Sequence, residues 1–230
     1  ALEAGVPLVM DVKPRLEAAI FDLDGVVTDT AEYHYLAWKQ LADELGAPFD
    51  RETNERLKGI SRMESLEIVL EGSARTFSED EKIKLAEQKN ELYRSKIMRM
   101  TPADVLPGIR ELLTELRERG VKIGLASASR NAGTVLERLE LTSYFDAVVS
   151  PDAARKGKPD PELFLLAAEA LGVYPAHCVG IEDAAAGIEA IRAARMKAVA
   201  VGRADRFEGA HRVVERTDEL SVRLLESLYV

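Results

Sequence analysis

The sequence predicts a doubly wound α/β fold: a parallel sheet with helices on both faces and an all-helical block inserted after the first strand. Three observations predict it. From Pro107 onward, short apolar runs of strand length alternate with helical periodicity, as βαβ units do. An earlier run, Ala19-Ile20-Phe21, reads as a strand buried on both faces. Between these, residues 31–95 carry helical pattern without a strand. The division that follows is a discontinuous core, 10–30 and 96–230, with a helical cap at 31–95. Residues 1–9 do not read as part of the fold, and Met10 is a candidate native start.

After the first strand a helix is expected from Thr30 to Leu45, closed by Gly46. Asp29, with Glu32 three residues on, resembles a capping box. His34, Trp38, Leu41 and Leu45 share one helical face, so His34 lies on the apolar stripe. Such a His is either a core residue or, this close to acidic residues, a functional one. Lys58-Gly59-Ile60-Ser61-Arg62 reads as a polar loop between two helices. A long helix starting near Ser78 carries Leu85, Ala86, Leu92, Tyr93 and Ile97 inward. Lys89 falls on that inward face, where a lysine either snorkels outward or meets a charge. Beyond Pro107 the expected helices are Ile109–Arg119, Thr134–Leu139, Pro161–Leu171 and Ala184–Ala194. The expected strands are Val121–Ala126, Ala147–Ser150, Cys178–Ile181 and Ala198–Val201, with a weaker one at Val213-Val214.

Composition narrows the function. A net charge of −9 without a long basic run argues against nucleic acid as a partner. No apolar run reaches membrane-spanning length. The single cysteine, Cys178, sits in an apolar run without a partner base and reads as buried structure. With no signal-peptide pattern, a reducing cytoplasm and small-molecule partners are expected, and the chain is expected to act as a monomer.

Polar residues cluster where the expected strands end. The first strand ends at Asp22 and Asp24, the second at Ser127-Ala128-Ser129-Arg130-Asn131; Lys158-Pro159 follows the third, and the next ends at Glu182-Asp183. Open parallel sheets bind ligands at that edge. Taken singly, Asp22 and Asp24 could form a solvated acidic turn, the serines could cap helices and Lys158 could be solvated. An EF-hand calcium loop fails, because its fifth and twelfth positions are Val26 and Tyr33. Together the set fits phosphoryl transfer, which is mostly positioning and charge neutralisation. Asp22, Glu182 and Asp183 would supply oxygen ligands to Mg²⁺. Lys158 would balance charge, and Ser127 would donate a hydrogen bond to the transferring oxygens. Lys158–Pro159 is a candidate cis bond, aiming the lysine into the site.

Asp22-Leu23-Asp24-Gly25, with Asp29, resembles the first motif of the haloacid dehalogenase-like phosphotransferases. Asp22, Ser127, Lys158 and Glu182-Asp183 match that superfamily's four motifs in order, which implies a Rossmann-like core. The resemblance implies that Asp22 is the nucleophile and Asp24 the general acid and base. Within the superfamily the chain resembles the β-phosphoglucomutases, on Phe21–Val26, Thr28–His34, Leu57-Lys58-Gly59, Ser61-Arg62, Ser127-Ala128-Ser129 and Gly187-Ile188. That family interconverts β-glucose 1-phosphate and glucose 6-phosphate through β-glucose 1,6-bisphosphate. The resemblance implies metal ligation by Asp22, Asp24, Glu182 and Asp183. It places Arg62, Ser129 and Asn131 on the non-transferring phosphate, with Ser61, Ser65, Ala128 and Arg130 as further substrate-binding positions. His34 and Lys89 would steer Asp24, and Trp38 and Gly59 would shape the sugar pocket. Arg130 departs from the lysine often found there, keeping charge but not shape. The alternatives are a sugar-phosphate phosphatase of the same fold and a non-catalytic sugar-phosphate sensor.

Overall fold

The computed structural model describes residues 12–230. The expectations for residues 1–9 and for Met10 lie outside the described residues.

Six parallel strands form one sheet: β1 (Ala18–Phe21), β2 (Lys122–Ala126), β3 (Ala147–Val149), β4 (Cys178–Glu182), β5 (Lys197–Val201) and β6 (Arg212–Val214). Their order is β3-β2-β1-β4-β5-β6, so the winding reverses between β1 and β4. Alternation along β1 assigns its two faces. Ala19 and Phe21 pack with α5 (Ile109–Glu118), α6 (Ala132–Arg138) and α9 (Val222–Ser227). Ala18 and Ile20 pack with α7 (Glu162–Leu171) and α8 (Ala185–Ala193). In register, Ile20 lies opposite Gly124 on one side and Gly180 on the other. A Cβ at Gly180 would sit 2.5 Å from Ile191 Cγ1, so the missing side chain lets α8 approach the sheet.

The inserted block is helical: α1 (Ala31–Glu44), α2 (Arg51–Glu55), α3 (Arg62–Leu70) and α4 (Glu79–Ile97). It has its own apolar core, which includes Trp38, Leu41, Leu57, Leu66, Val69 and Ala86. The chain crosses between core and cap twice, and the crossings are joined. Thr28 Oγ1 donates to Asp104 O at 2.6 Å, and Leu106 N–H donates to Val27 O at 2.9 Å. No helix among the described residues is long and apolar enough to cross a membrane.

Three local expectations are corrected. Asp29 and Glu32 do not form a capping box; Thr30 is the N-cap of α1 and makes no side-chain cap bond. Glu32 instead takes a bidentate pair from Arg51, at 2.8 and 2.9 Å, which a single backbone N–H cannot match. Asp29 Oδ1 accepts from Ala31 N–H. Arg62 is not in the loop before α3 but is its first helical residue, because Ser61 Oγ accepts from Glu64 N–H and so caps the helix. Finally, α6 starts at Ala132 rather than Thr134, immediately after the turn built by Ser127 and Ser129.

Candidate active site

The C-terminal edge of the sheet gathers the acidic residues. β1 stops at Phe21, but Asp22 N–H still donates to Ile181 O at 2.9 Å, which holds its side chain above the reversal point. The chain then turns through Gly25, whose φ is +81°. A Cβ there would land on the Asp183 carboxylate, so glycine is what lets the two loops meet. Gly187 has the same relation to Glu182, the last residue of β4. Lys158 enters from the loop after β3, and the Lys158–Pro159 bond is cis. Its Nζ lies 2.9 Å from Asp22 Oδ1, 2.8 Å from Ala126 O and 2.7 Å from Glu182 Oε2.

Asp22, Glu182 and Asp183 each offer an oxygen within 4.8 Å of the others. Burial, then the charge of Glu182, raises the Asp22 pKa well above the carboxylate range; the same causes raise Asp183 to about 7. Burial alone would lower Lys158, but Asp22 and Glu182 outweigh it and hold its pKa above the ordinary lysine range. One ammonium cannot neutralise three crowded carboxylates. A compact, all-oxygen set carrying excess negative charge suits a hard divalent cation such as Mg²⁺. The Asp24 carboxylate stands outside this cluster.

Asp24 faces the cap instead. Its Oδ2 is 3.6 Å from His34 Nε2, and its Oδ1 is buried without a hydrogen-bond partner. On the far side of the ring, Lys89 Nζ is 2.8 Å from His34 Nδ1. A charged Lys89 donates there, which puts the ring proton on Nε2, toward Asp24. The imidazole stacks on Tyr93 at 4.0 Å. Burial, then Lys89, lowers the His34 pKa, favouring the neutral ring. Lys89 is 4% exposed, and its ammonium lies over Trp38 and Tyr93 at 4.8 and 4.9 Å. It neither snorkels nor pairs with a carboxylate; it meets a ring nitrogen and two aromatic faces. Burial, then Arg62, lowers its pKa to about 7.

A second anchoring point joins cap and core. Arg62 Nη2 donates to Asn90 Oδ1 at 3.1 Å, and Asn131 Nδ2 donates to the same oxygen at 2.8 Å. Asn90 follows Lys89 on α4 and was not foreseen. Its signal was an asparagine inside a long helix, where that residue is a poor former. Ser127 Oγ accepts from Ser129 N–H, and Ser129 Oγ accepts from Asn131 N–H, both at 3.1 Å. Both serine hydroxyl protons thus stay available for donation. Ser127 and Asn131 are buried; Ala128 and Ser129 are half-buried. Ser65 is buried on α3, whereas Ser61 is exposed in its capping role. Gly59 brings the cap loop to the core, its would-be Cβ falling 3.6 Å from Ala184 Cβ. Arg130 is exposed and pairs with Asp152 at 2.9 Å, a partner the sequence reading also missed.

The model of the haloacid dehalogenase-like hydrolases matches residues 16–195, more than half of the chain. The chain belongs to the haloacid dehalogenase-like hydrolase family. Within this family it is 53% identical to a β-phosphoglucomutase of Bacillus subtilis, over 91% of this chain and 94% of that protein. It is 34% identical to a phosphorylated carbohydrates phosphatase of Thermotoga maritima, over 80% of this chain and 84% of that one. A solved structure of β-phosphoglucomutase from Clostridium difficile superposes with a TM-score of 0.90 at 47% identity, covering 93% of this chain and 97% of that one. Haloacid dehalogenase-like enzymes with the mutase name and with phosphatase names are thus both among its relatives.

Proposed function

We propose that this enzyme is a β-phosphoglucomutase, interconverting β-D-glucose 1-phosphate and D-glucose 6-phosphate through an aspartyl phosphate and β-D-glucose 1,6-bisphosphate. The observation that carries this reading is the second anchoring point. A mutase must hold a bisphosphate in two orientations, so it needs a fixed site for the phosphate that is not being transferred. Arg62 from the cap and Asn131 from the core converge on one acceptor oxygen, Asn90 Oδ1, as they would on a phosphate oxygen. Arg62 is half-buried, and burial lowers its pKa, so an anion there would be stabilising.

The residues divide the chemistry. Lys158 holds Asp22 Oδ1, orienting the carboxylate for attack on phosphorus. As the P–O bond to the sugar breaks, Asp24 gives its proton to the leaving sugar oxygen. In the second half-reaction the other sugar hydroxyl attacks the phosphorus of phospho-Asp22, passes its proton to Asp24 and restores the Asp22 carboxylate. His34 and Lys89 orient Asp24, and Ser127 donates to a phosphoryl oxygen. Asp22, Glu182 and Asp183 are the residues that would hold Mg²⁺, which neutralises carboxylate and phosphoryl charge when bound; the Asp24 carboxylate, expected as a further ligand, is turned to the cap and left for proton transfer. Trp38 and Gly59 line the sugar side; Ser61, Ser65, Ala128, Ser129 and Arg130 complete the substrate contacts. The core division at 10–30 and 96–230, with the cap at 31–95, belongs to the same reading. The buried free thiol of Cys178 suits a reducing cytoplasm.

The test is a magnetic resonance time course with β-glucose 1-phosphate, Mg²⁺ and a trace of the bisphosphate. Glucose 6-phosphate as product supports the mutase; glucose and free phosphate would make the enzyme a phosphatase, as the Thermotoga relative is named. Unchanged substrate would favour a sensor. Arg62→Ala sharpens the result. Removing one partner of a buried charged pair costs about 2–5 kcal/mol, so mutase kcat/KM should fall roughly thirtyfold or more. Phosphorylation of Asp22 by acetyl phosphate, which has no second phosphate, should change far less. Equal losses in both reactions would mean that Arg62 only supports the cap.

A further inference from the structure

The opposite end of the sheet carries a second feature, which the catalytic chemistry does not use. A cavity of about 530 Å³ opens at the N-terminal edge of β5, below the C-terminal end of α8. Lys13, Arg192, Arg195, Lys197 and His211 line it together with Val230, the last residue of the sequence, and among the described residues no aspartate or glutamate does. That is unexpected in a chain with 40 acidic and 31 basic residues. Among the described residues, Lys13, Arg195 and Lys197 take part in no ion pair, and Arg192 is bonded only to the neutral carbonyl of Gly209.

Lys13, Arg192, Arg195 and His211 are exposed and Lys197 half-buried; the backbone at Arg195, the ring of His211 and the fork of Arg192 are fixed by local contacts. Met196 N–H donates to Ile191 O, closing α8 with Arg195 in the left-handed region at φ 61°. Glycine would occupy that position without steric cost, as it does after α7 at Gly172. His211 Nδ1 accepts from Ala198 N–H at 2.9 Å, which leaves Nε2 to carry the ring proton as a donor. Partial burial, then Lys197 and Arg192, lowers the His211 pKa, so the ring already registers these two cations. Buried Met196 and half-buried Leu228 add apolar lining.

We propose that this cavity is a second anion site, taking a small phosphorylated molecule that carries at least two negative charges. Repulsion among crowded cations is relieved by an anion placed between them. The end of α8 contributes only about half a negative charge and the α-carboxylate of Val230 about one more, which four basic side chains outweigh. The volume exceeds what one phosphate fills, so the ligand has a body as well as charges. The site lies at the end of the sheet remote from Asp22, so it does not compete with the sugar phosphate.

The probe is inorganic pyrophosphate, titrated without Mg²⁺ into ¹⁵N-labelled protein while backbone amides are followed. The amides of Met196, Lys197 and His211 should shift along one saturable curve, distinct from that of Ser129 and Asn131 at the active site. The His211 pKa should rise on saturation. Lys197→Ala and Arg195→Gly should each weaken this curve roughly tenfold, leaving the active-site curve and mutase turnover unchanged. Arg195→Gly is the variant safe for folding, because glycine fits the left-handed turn. Shifts that grow linearly, or that chloride at equal ionic strength reproduces, would overturn the proposal, as would a saturable curve untouched by both substitutions.

Discussion

Asp24 and Lys89 are the residues whose surroundings say most about their work. If Asp24 supplies the proton to the leaving sugar oxygen, Asp24→Asn should lose roughly 10²–10⁴-fold with the bisphosphate as donor. With acetyl phosphate, whose leaving group needs no proton, the loss should be much smaller; equal losses would remove Asp24 from the acid role. Lys89 permits a thermodynamic test. Its folded pKa of about 7 lies far below the roughly 10.4 of an unfolded lysine. Between those values the unfolded chain binds more protons, so stability rises with pH across that window, and the burial penalty is fully present below pH 7. Lys89→Met should therefore unfold at higher urea than the parent at pH 6, by on the order of a few kcal/mol. The gap should close toward pH 9.5. A gap independent of pH would mean that the ammonium is well solvated. Sequence placed Lys89 on the inward face because helical periodicity is local. Periodicity could not choose the partner, because His34 is 55 positions away and the contact depends on how α1 packs on α4; the family resemblance alone grouped the two around Asp24.

Among the elements, β4 and α8 show how close packing serves the site. Gly180 has no side chain to hold Ile191 away, and Gly187 has none to displace Glu182. Gly180→Ala should cost about 1–3 kcal/mol by overpacking, measured by thermal or urea unfolding. Ile191→Ala should cost less in that background than in the parent, because it vacates the clash; additive costs would place the strain elsewhere. This coupling was not legible in the sequence: Gly180 sat in an apolar run that read only as a strand. The strands themselves were legible, since short runs bounded by polar residues carry their own signal; even the edge strand at Val213-Val214 appeared. Helix starts were read less well. At α1, Glu32 had a better partner in Arg51, 19 residues away, than its own N-cap offered.

Across the whole molecule, the carboxylate edge ties stability to pH and to metal. Asp183, at about 7, and Asp22, well above the usual range, bind protons in the folded state that the unfolded chain has lost above about pH 4. Metal-free stability should thus fall as pH rises toward 7. A divalent cation replaces those protons, so Mg²⁺ should hardly move the melting temperature at pH 5. Above pH 7 it should add roughly 2.7 kcal/mol at a hundredfold excess over its dissociation constant. Equal stabilisation at both pH values would exclude these carboxylates as the ligands. Sequence order already predicted the shared edge, because a parallel sheet brings successive strand ends together whatever the intervening length. Strand order alone does not say that Asp24 turns toward His34 while Asp22 turns toward Lys158, a choice made by the loop through Gly25; only the family resemblance put His34 beside Asp24.

The two crossings between core and cap have a consequence for how such a chain changes over generations. Thr28 and Val27 bond to the returning strand at Asp104 and Leu106, so the inserted helices leave and re-enter at nearly the same point. The insertion closes on itself like a parenthesis in a sentence. Its contents can be lengthened, shortened or exchanged while the words on either side still join, because segments whose ends lie close together are tolerated as insertions. With Arg62, Gly59 and Trp38 in the roles proposed for them, substrate choice is written inside the parenthesis and can be rewritten without touching the phosphoryl chemistry outside it.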